Sequence, residues 1–288
     1  MWFEHDEIAD AVTSAAWILP GSCGPDVCNG RRVISDTGSL LLEDSRRDVA
    51  HPLGHGYSSE YQLVFPYFGA FDWRIGKEQR LIDANSLLLV TGGQEFSEAH
   101  PHEQIGHASA ILTLDAELLD EIGLKQGSLW WSAINRPVTD SMRLLVHRLL
   151  FTDMSNLARE ELSLYLLRLV ADNEARGVDQ ACRRVTQRAK QILHQSGYEP
   201  LSLTQIASQV GVSPIYLTQS FTRSEGMPLY RYQMRLRLAR ALFELPRRKS
   251  LIDLALDLGF SSHSHFSSTF RAVFGMTPSQ FRSEFAGG

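Results

Sequence analysis

Leu201-Ser202-Leu203-Thr204-Gln205-Ile206-Ala207-Ser208-Gln209-Val210-Gly211-Val212-Ser213 and Lys249-Ser250-Leu251-Ile252-Asp253-Leu254-Ala255-Leu256-Asp257-Leu258-Gly259-Phe260-Ser261 are one pattern written twice, 48 residues apart. Ser, Leu, Ala, Gly and Ser recur in register, and repeats decide architecture before any single element does. Later landmarks recur at an offset of 49: Phe221 with Phe270, Gly226 with Gly275, Met227 with Met276. Each copy has the physics of a helix-turn-helix. Ser202 and Ser250 are N-cap residues. Ile206/Ala207 and Leu254/Ala255 put a large and a small apolar side chain on the inner face, the alanine allowing close helix approach. Gly211 and Gly259 stand where the first helix ends with positive φ. Ser213 and Ser261 then begin the second helix, with Pro214 at a first helical position that needs no N–H.

Leu217/Phe221 and Phe266/Phe270 are i, i+4 pairs that bury the second helix of each copy. Its other face is small and polar: Thr218, Gln219 and Thr222 in one copy, His263, Ser264, Ser267 and Ser268 in the other. Between the copies, residues 229–245 read as one long helix with two apolar stripes. Leu229, Tyr232, Leu236, Ala239 and Phe243 form one, and Met234, Leu238, Ala241, Leu242 and Leu245 the other. Arg231, Arg235, Arg237 and Arg240 are interspersed. Such a helix is packed by both copies and spaces them rigidly. An αα-hairpin with a glycine turn explains one copy as well as a DNA-reading unit does; two copies with polar outer faces favour DNA.

The charge agrees. The chain has 288 residues and a formal charge of −5, but residues 1–182 hold 14 Lys and Arg against 27 Asp and Glu, and residues 183–288 hold 14 against 6. The mild average conceals an acidic half and a basic half fit to meet a polyanion.

Leu254-Ala255-Leu256-Asp257-Leu258-Gly259-Phe260-Ser261, then Phe266, Phe270-Arg271, Gly275-Met276-Thr277-Pro278 and Phe281-Arg282, resemble the signature of AraC/XylS-type transcriptional regulators. The likeness covers about a hundred residues; His263 and His265 depart from the Ser-Tyr usual there. It implies two recognition helices on one spacer, entering successive major grooves about 34 Å apart. Arg223, Arg271 and the helix N-termini would hold phosphates. Ile215, Thr218, Gln219 and Thr222 in the first helix, and His263, Ser264, Ser267 and Ser268 in the second, would face the bases. Gln219 suits adenine and Ile215 a thymine methyl, although packing alone also accounts for Ile215.

Residues 31–114 carry short apolar runs (32–34, 40–42, 61–75, 87–91) cut by turns at Gly76-Lys77-Glu78 and Asp83-Ala84-Asn85, the pattern of a β-sandwich or barrel. They are similar to the cupin-type sensor that many such regulators carry. Met142, Leu145, Val146, Leu149 and Leu150, then Leu162, Tyr165, Leu166, Leu169 and Val170, follow helical spacing, with a break at Asp153 to Asn156. The pair packs on its own sheet or meets a second copy across a dimer axis. Arg176-Gly177-Val178-Asp179 is the expected linker. The chain therefore reads as α+β multidomain: a cupin-like sensor barrel with an N-terminal arm at 1–138, a helical dimerisation segment at 139–176, a linker at 177–182, and an all-α double helix-turn-helix domain at 183–288.

Three features of the acidic half are candidate sensors. Phe65, Tyr67, Phe71 and Trp73 share a face at period two, as the wall of an effector pocket or as a filled core. His51, His55, His100, His102 and His107 lie near Glu103; His100-x-His102 on a strand points both rings one way, but the full cupin ligand set is not met. Cys23-x4-Cys28 suits a regulatory disulfide or an incidental pair in an arm. Four thiolates for a structural zinc are not available. No metal or other cofactor is implied.

No run of about 18 apolar residues occurs, which excludes a helical membrane span. Glu4, Asp6 and Glu7 precede the first basic residue, Arg31, so no secretory leader is expected. Three cysteines (Cys23, Cys28, Cys182) fit a reducing cytoplasm, here that of a bacterium, at the nucleoid. The reading is a non-enzymatic, ligand-responsive regulator of transcription. Its partners would be promoter duplex, a second copy, a small-molecule effector, and RNA polymerase if it activates. The alternatives are a redox- or metal-responsive regulator working through Cys23/Cys28 or His100/His102, and a cupin enzyme with a DNA-binding tail.

Overall fold

The computed structural model describes residues 30–47, 54–99, 106–124, 135–172, 180–196 and 201–285. The described residues hold ten strands: β1 (Gly30–Asp36), β2 (Leu40–Arg47), β3 (Gly54–Ser58), β4 (Tyr61–Phe68), β5 (Ala70–Ile75), β6 (Glu78–Asp83), β7 (Ser86–Val90), β8 (Gln94–Ala99), β9 (His107–Leu114) and, after one short helix, β10 (Asn135–Pro137). They form a six-stranded sheet ordered β1-β2-β9-β4-β7-β10 and a four-stranded sheet ordered β3-β8-β5-β6. Each recorded strand pair is antiparallel. Of the β-sandwich or cupin-like barrel expected, the described residues form two sheets with no strand pair joining them, so the barrel is not closed there.

The central strands of the larger sheet are buried on both faces, which is why 87–90 reads Leu-Leu-Leu-Val without alternation. Val64, Leu88, Val90 and Ile111 point toward the smaller sheet and meet Phe71, Trp73 and Ile82. Leu63, Phe65, Leu87, Leu89, Ala110 and Leu112 point the other way, onto helices. Those helices are α2 (Asp140–Phe151) and α3 (Asn156–Ala171), following a short α1 (Ala116–Glu121). Thr139 and Ser155 cap α2 and α3 by accepting from the Met142 and Ala158 amides. Met142, Leu145, Val146, Leu149 and Leu150 bury as their spacing predicts. In α3 the buried face is Ser163, Leu166, Leu167 and Val170. Tyr165 falls off that stripe and is 52% exposed.

Gly69 separates β4 from β5. Its φ is +67°, and a Cβ there would stand 2.0 Å from the Gly106 carbonyl oxygen, so only glycine fits. The chain changes sheet at this point, and the aromatic stretch 61–75 is divided. Phe65 and Tyr67 belong to the helix side and Phe71 and Trp73 to the space between the sheets. The single shared face expected from period two is not formed.

The C-terminal half is helical: α4 (Gln180–Gln195), α5 (Leu203–Val210), α6 (Pro214–Glu225), α7 (Leu229–Glu244), α8 (Leu251–Asp257), α9 (His263–Phe274) and α10 (Pro278–Phe285). Since α4 begins at Gln180, three residues of the expected linker are already helical; 173–179 lie outside the described residues. The two stripes of α7 part as the sequence predicts. Leu229, Tyr232, Leu236 and Ala239 join Ile206, Ala207, Leu217 and Phe221 of the first unit. Met234, Leu238, Ala241, Leu242 and Leu245 join Leu254, Ala255, Phe266 and Phe270 of the second. Each fully buried phenylalanine contributes roughly 1.5–3 kcal/mol. Phe243 leaves the first stripe and packs on Tyr67 and Phe68, with ring centroids 5.6 and 5.2 Å away.

The N-terminal half touches both units. The turn 83–85 inserts Ala84 into the core of the first, where the Asn85 side-chain amide donates to the Tyr232 carbonyl at 3.1 Å. Helix α2 lies on the second: the His147 ring meets Phe281 and Phe285 at 4.9 and 5.0 Å, and Arg148 pairs with Glu284 at 2.6 Å.

Candidate nucleic-acid interface

In the first unit, Ser202 and Gln205 form a reciprocal capping box at the start of α5, and Gly211 ends it at φ +82°. Gly211 and Val212 return their N–H groups to the Ala207 carbonyl, which tightens the turn. Ser213 then caps α6 by accepting from the Tyr216 amide, with Pro214 at the first helical position. The second unit differs by one residue. Ser250 caps α8 as expected, but α9 is capped by Ser262, which accepts from the His265 amide at 3.1 Å. Ser261 lies outside the helix, its hydroxyl 3.1 Å from His265 Nδ1. Counted from Gly211 and Gly259, the cap of α9 comes one residue later than the cap of α6, and this is where the repeat offset passes from 48 to 49.

Leu217 and Phe221 seal α6 inward, and Phe266 and Phe270 seal α9. The opposite faces are open to solvent. On α6, Ile215 is 71% exposed, so packing does not account for it. Gln219, Thr222 and Arg223 are also exposed; Thr218 is half-buried and donates its hydroxyl to the Pro214 carbonyl at 2.9 Å. On α9, Ser264, Ser268 and Arg271 are exposed. His263 and Ser267 are half-buried and share a hydrogen bond of 3.2 Å. Ser268 donates to the His265 carbonyl at 3.1 Å. The expected readout residues are thereby gathered on two outward helix faces joined by one spacer, and the N-terminal half covers neither. Tyr216, exposed beside Ile215, belongs to the same face and was not singled out by polarity, because its ring scores as core.

The linking helix is tied near its middle to both neighbours. The Arg237 guanidinium donates to the Gly259 carbonyl at 2.6 Å, tying it to the second turn, and Arg235 pairs with Asp140 of α2 at 2.7 Å. Arg240 pairs with Glu244 one turn on.

Of the other candidates, Cys23, Cys28, His51, His100, His102 and Glu103 lie outside the described residues. His55 is exposed on β3. His107 is buried, 3.4 Å from Glu98 and against the Phe71 ring at 4.4 Å. No group of three metal-ligating side chains occurs among the described residues. Cys182 is buried with a free thiol. No helix of the described residues is long and apolar enough to cross a membrane.

Residues 206–284 match the family described as "Helix-turn-helix domain". The chain is 47% identical over 58 residues to the HTH-type transcriptional regulator ArgR of Pseudomonas aeruginosa, a stretch covering 20% of this chain and 18% of that protein. It therefore spans less than a fifth of the length of this curated relative. An AraC-type DNA-binding domain from Chromobacterium violaceum is 35% identical and is covered to 98%, against 38% of this chain, with a TM-score of 0.35. Apo ToxT of Vibrio cholerae is 12% identical over 87% of this chain and 99% of that one, with a TM-score of 0.37. Another ToxT structure, with an unsaturated fatty acid bound, covers 88% and 98% at 12% identity and a TM-score of 0.35.

Proposed function

We propose, from the premise that residues 206–284 are a helix-turn-helix domain of the kind AraC-type regulators carry, that this protein regulates transcription by binding promoter DNA. The observation that carries the reading is the pair of outward faces on α6 and α9, held by one buried linking helix. Two recognition helices so joined suit successive major grooves on one side of a duplex. Arg223 and Arg271, each in the last turn of its helix, are placed for phosphates, which position the protein without reading sequence. Ile215, Thr218, Gln219, Thr222, His263, Ser264, Ser267 and Ser268 are the base-reading set.

The N-terminal half acts as the ligand-responsive part. It touches both DNA-binding units, so a molecule that prefers one arrangement of the halves shifts the affinity of the other site. The helical segment at 139–176 supplies the contact between two copies: Leu157 and Tyr165 of α3 are exposed apolar side chains on the surface that α3 turns away from its own sheet. RNA polymerase is a further partner if the protein activates. The protein works in the cytoplasm without catalysing a reaction.

The test is binding-site selection with the full chain, followed by titration of the selected duplex at several salt concentrations. A defined sequence in two half-sites about one helical turn apart, with affinity falling steeply as salt rises, is the expected result. A pool with no enriched sequence overturns the reading.

A further inference from the structure

Two of the three histidines in residues 183–288 stand together at the start of the second recognition helix. The third, His194, is engaged with Asp83 at 3.0 Å. His263 is the first residue of α9 after its cap Ser262, and His265 supplies the amide that the cap accepts. At about 100° per residue the two flank the open stripe of Ser264, Ser268 and Arg271 from opposite sides. The matching positions of the first unit, 49 residues earlier, are Pro214 and Tyr216, neither of which titrates near neutral pH.

Each imidazole is held by a hydroxyl. His263 Nε2 lies 3.2 Å from Ser267 Oγ, and its Nδ1 has no partner among the described residues. His265 Nδ1 lies 3.1 Å from Ser261 Oγ, and its ring packs edge to face on Phe260 at 5.5 Å. Its Nε2 has no partner among the described residues. The elements packed on α9 are α7, α8, α2 and α10. Their charged groups are engaged elsewhere: Arg237 of α7 with the Gly259 carbonyl, Asp257 of α8 with Arg248, and Glu284 of α10 with Arg148 of α2. Arg282 of α10 donates to the Arg248 and Lys249 carbonyls. Burial pushes the His147 ring of α2 down to about 3, so it is neutral. Asp253 is exposed in the first turn of α8, and Arg271 lies in the last turn of α9. No ion pair reaches either imidazole among the described residues.

We propose that the second recognition helix reads DNA with proton uptake: His263 presents a hydrogen-bond donor to a guanine edge, and His265 grips a phosphate as the imidazolium. The inference deepens the DNA-binding reading above and rests on it. Ser267 keeps His263 over the body of α9, the part that enters the groove. A hydroxyl both donates and accepts, so the neutral ring presents at Nδ1 either a donor or a bare lone pair; the imidazolium presents only a donor. Guanine shows two acceptors in the major groove, N7 and O6, and cytosine only its N4 donor. A proton on His263 therefore favours guanine and rejects cytosine in the same place.

His265 is tied backward instead, to Ser261 outside the helix, and so belongs to the entrance of α9, where phosphates are held. A nearby phosphate favours the charged ring. Histidine changes charge between about pH 5 and 8, so both residues carry more protons on DNA than off it. Affinity then rises as pH falls, by at most about tenfold per pH unit for each histidine. The first unit has no counterpart, and the effect belongs to the second half-site alone.

The experiment titrates the full chain with its selected duplex and with a random duplex at about pH 8 and about pH 6. Salt is held constant, and thermal melting at each pH checks the fold of every protein. The parent should bind the selected duplex about tenfold or more tightly at the lower pH. Binding-site selection repeated at both pH values should enrich guanine at one position of the second half-site more strongly in acid. His263→Gln should abolish that enrichment and shrink the gain on the selected duplex alone. His265→Gln should shrink the gain on selected and random duplexes alike. A parent affinity that changes by less than about twofold overturns the proposal. So does a gain that persists in full when both histidines are replaced, or a guanine preference that His263→Gln leaves intact. Sequence-specific binding at about pH 8 tests the regulator reading by itself, so the two readings fail separately.

Discussion

Tyr232, on the helix that joins the two DNA-binding units, donates its hydroxyl to Asp83 of the opposite half, 2.8 Å from one carboxylate oxygen and 2.6 Å from the other. Asp83 also accepts from the Asn85 amide at 3.0 Å and pairs with His194 of α4 at 3.0 Å. Burial alone would raise the Asp83 carboxyl, but Lys190, His194 and Tyr232 outweigh it and hold the group well below the usual carboxylate range. The same burial, with the Asp83 charge beside it, holds the Tyr232 phenol well above its ordinary value, so it remains a donor. A turn of the N-terminal sheet is in this way a structural part of the first helix-turn-helix unit.

Removing one hydroxyl from this pair tests how strongly the halves are joined. Tyr232→Phe keeps the edge-to-face packing on Phe221 at 5.2 Å but leaves the buried carboxylate a donor short. It should cost about 1–3 kcal/mol. Asp83→Ala leaves the buried Tyr232 hydroxyl and His194 ring without their acceptor and should cost more, about 3–5 kcal/mol. Urea denaturation of the full chain reads both, and a double variant gives the coupling. A change below about 0.5 kcal/mol for Tyr232→Phe, the size of an ordinary surface substitution, would mean the contact adds no stability.

Acid should weaken the fold in two separate windows. His147 titrates near about 6.5 when unfolded and at about 3 in the fold. Below the unfolded value the open chain takes up a proton that the fold refuses, so stability falls as pH drops from about 6.5 toward 3. The slope is at most about 1.4 kcal/mol per pH unit. Asp83 is also depressed, but by its partners against burial: its contribution is full above the unfolded value of about 3.9 and is lost only as pH falls further. Stability measured against pH for the parent and for His147→Gln separates the windows. The variant should lose most of the slope between about pH 6.5 and 4.5 and keep the loss at lower pH.

Ser262, rather than Ser261, should carry the start of the second recognition helix. Ser262→Ala removes the side-chain acceptor for the His265 amide and should destabilise by about 1 kcal/mol. Ser261→Ala touches only an exposed contact with the His265 ring and should change stability by less than about 0.5 kcal/mol. Thermal melting of the two variants decides between the positions.

The difference between those serines marks how far the sequence was legible. The caps, the Gly211 turn and the two stripes of α7 were readable because each depends on local spacing. The longer second turn was visible only as a shift in offset from 48 to 49, which says that a residue is inserted but not where. In the N-terminal half the strand runs were readable, but Gly69 was not, because its need for glycine comes from the Gly106 carbonyl, which is distant in sequence. Together with the bulge between Pro66 and Phe68, that position puts Phe65 and Tyr67 on one face and Phe71 and Trp73 on another. Tertiary burial hid the rest: Asp83-Ala84-Asn85 has the composition of a solvated turn, yet Asp83, Ala84 and Asn85 are buried against helices more than a hundred residues later. For the recognition faces, period and polarity sufficed, since what they record is simply which side is left open.

Gln219 and Arg271 should fail in different ways on DNA. Gln219 is exposed near the middle of α6, with an amide suited to pairing with one adenine edge. Gln219→Ala should relax choice at one base pair and cost about 1–3 kcal/mol for the selected site, with little effect on other sequences. Arg271 lies in the last turn of α9 and is placed for phosphate. Arg271→Ala should weaken selected and random duplexes alike and reduce the slope of log affinity against log salt by about one. Titrating both variants against both duplexes at two or more salt concentrations gives the comparison. If Gln219→Ala leaves the selection profile unchanged, the first helix reads DNA through Ile215 and Tyr216 or through shape. If Arg271→Ala spares random duplex, the arginine contacts a base, and the second helix has entered the groove by its C-terminal end.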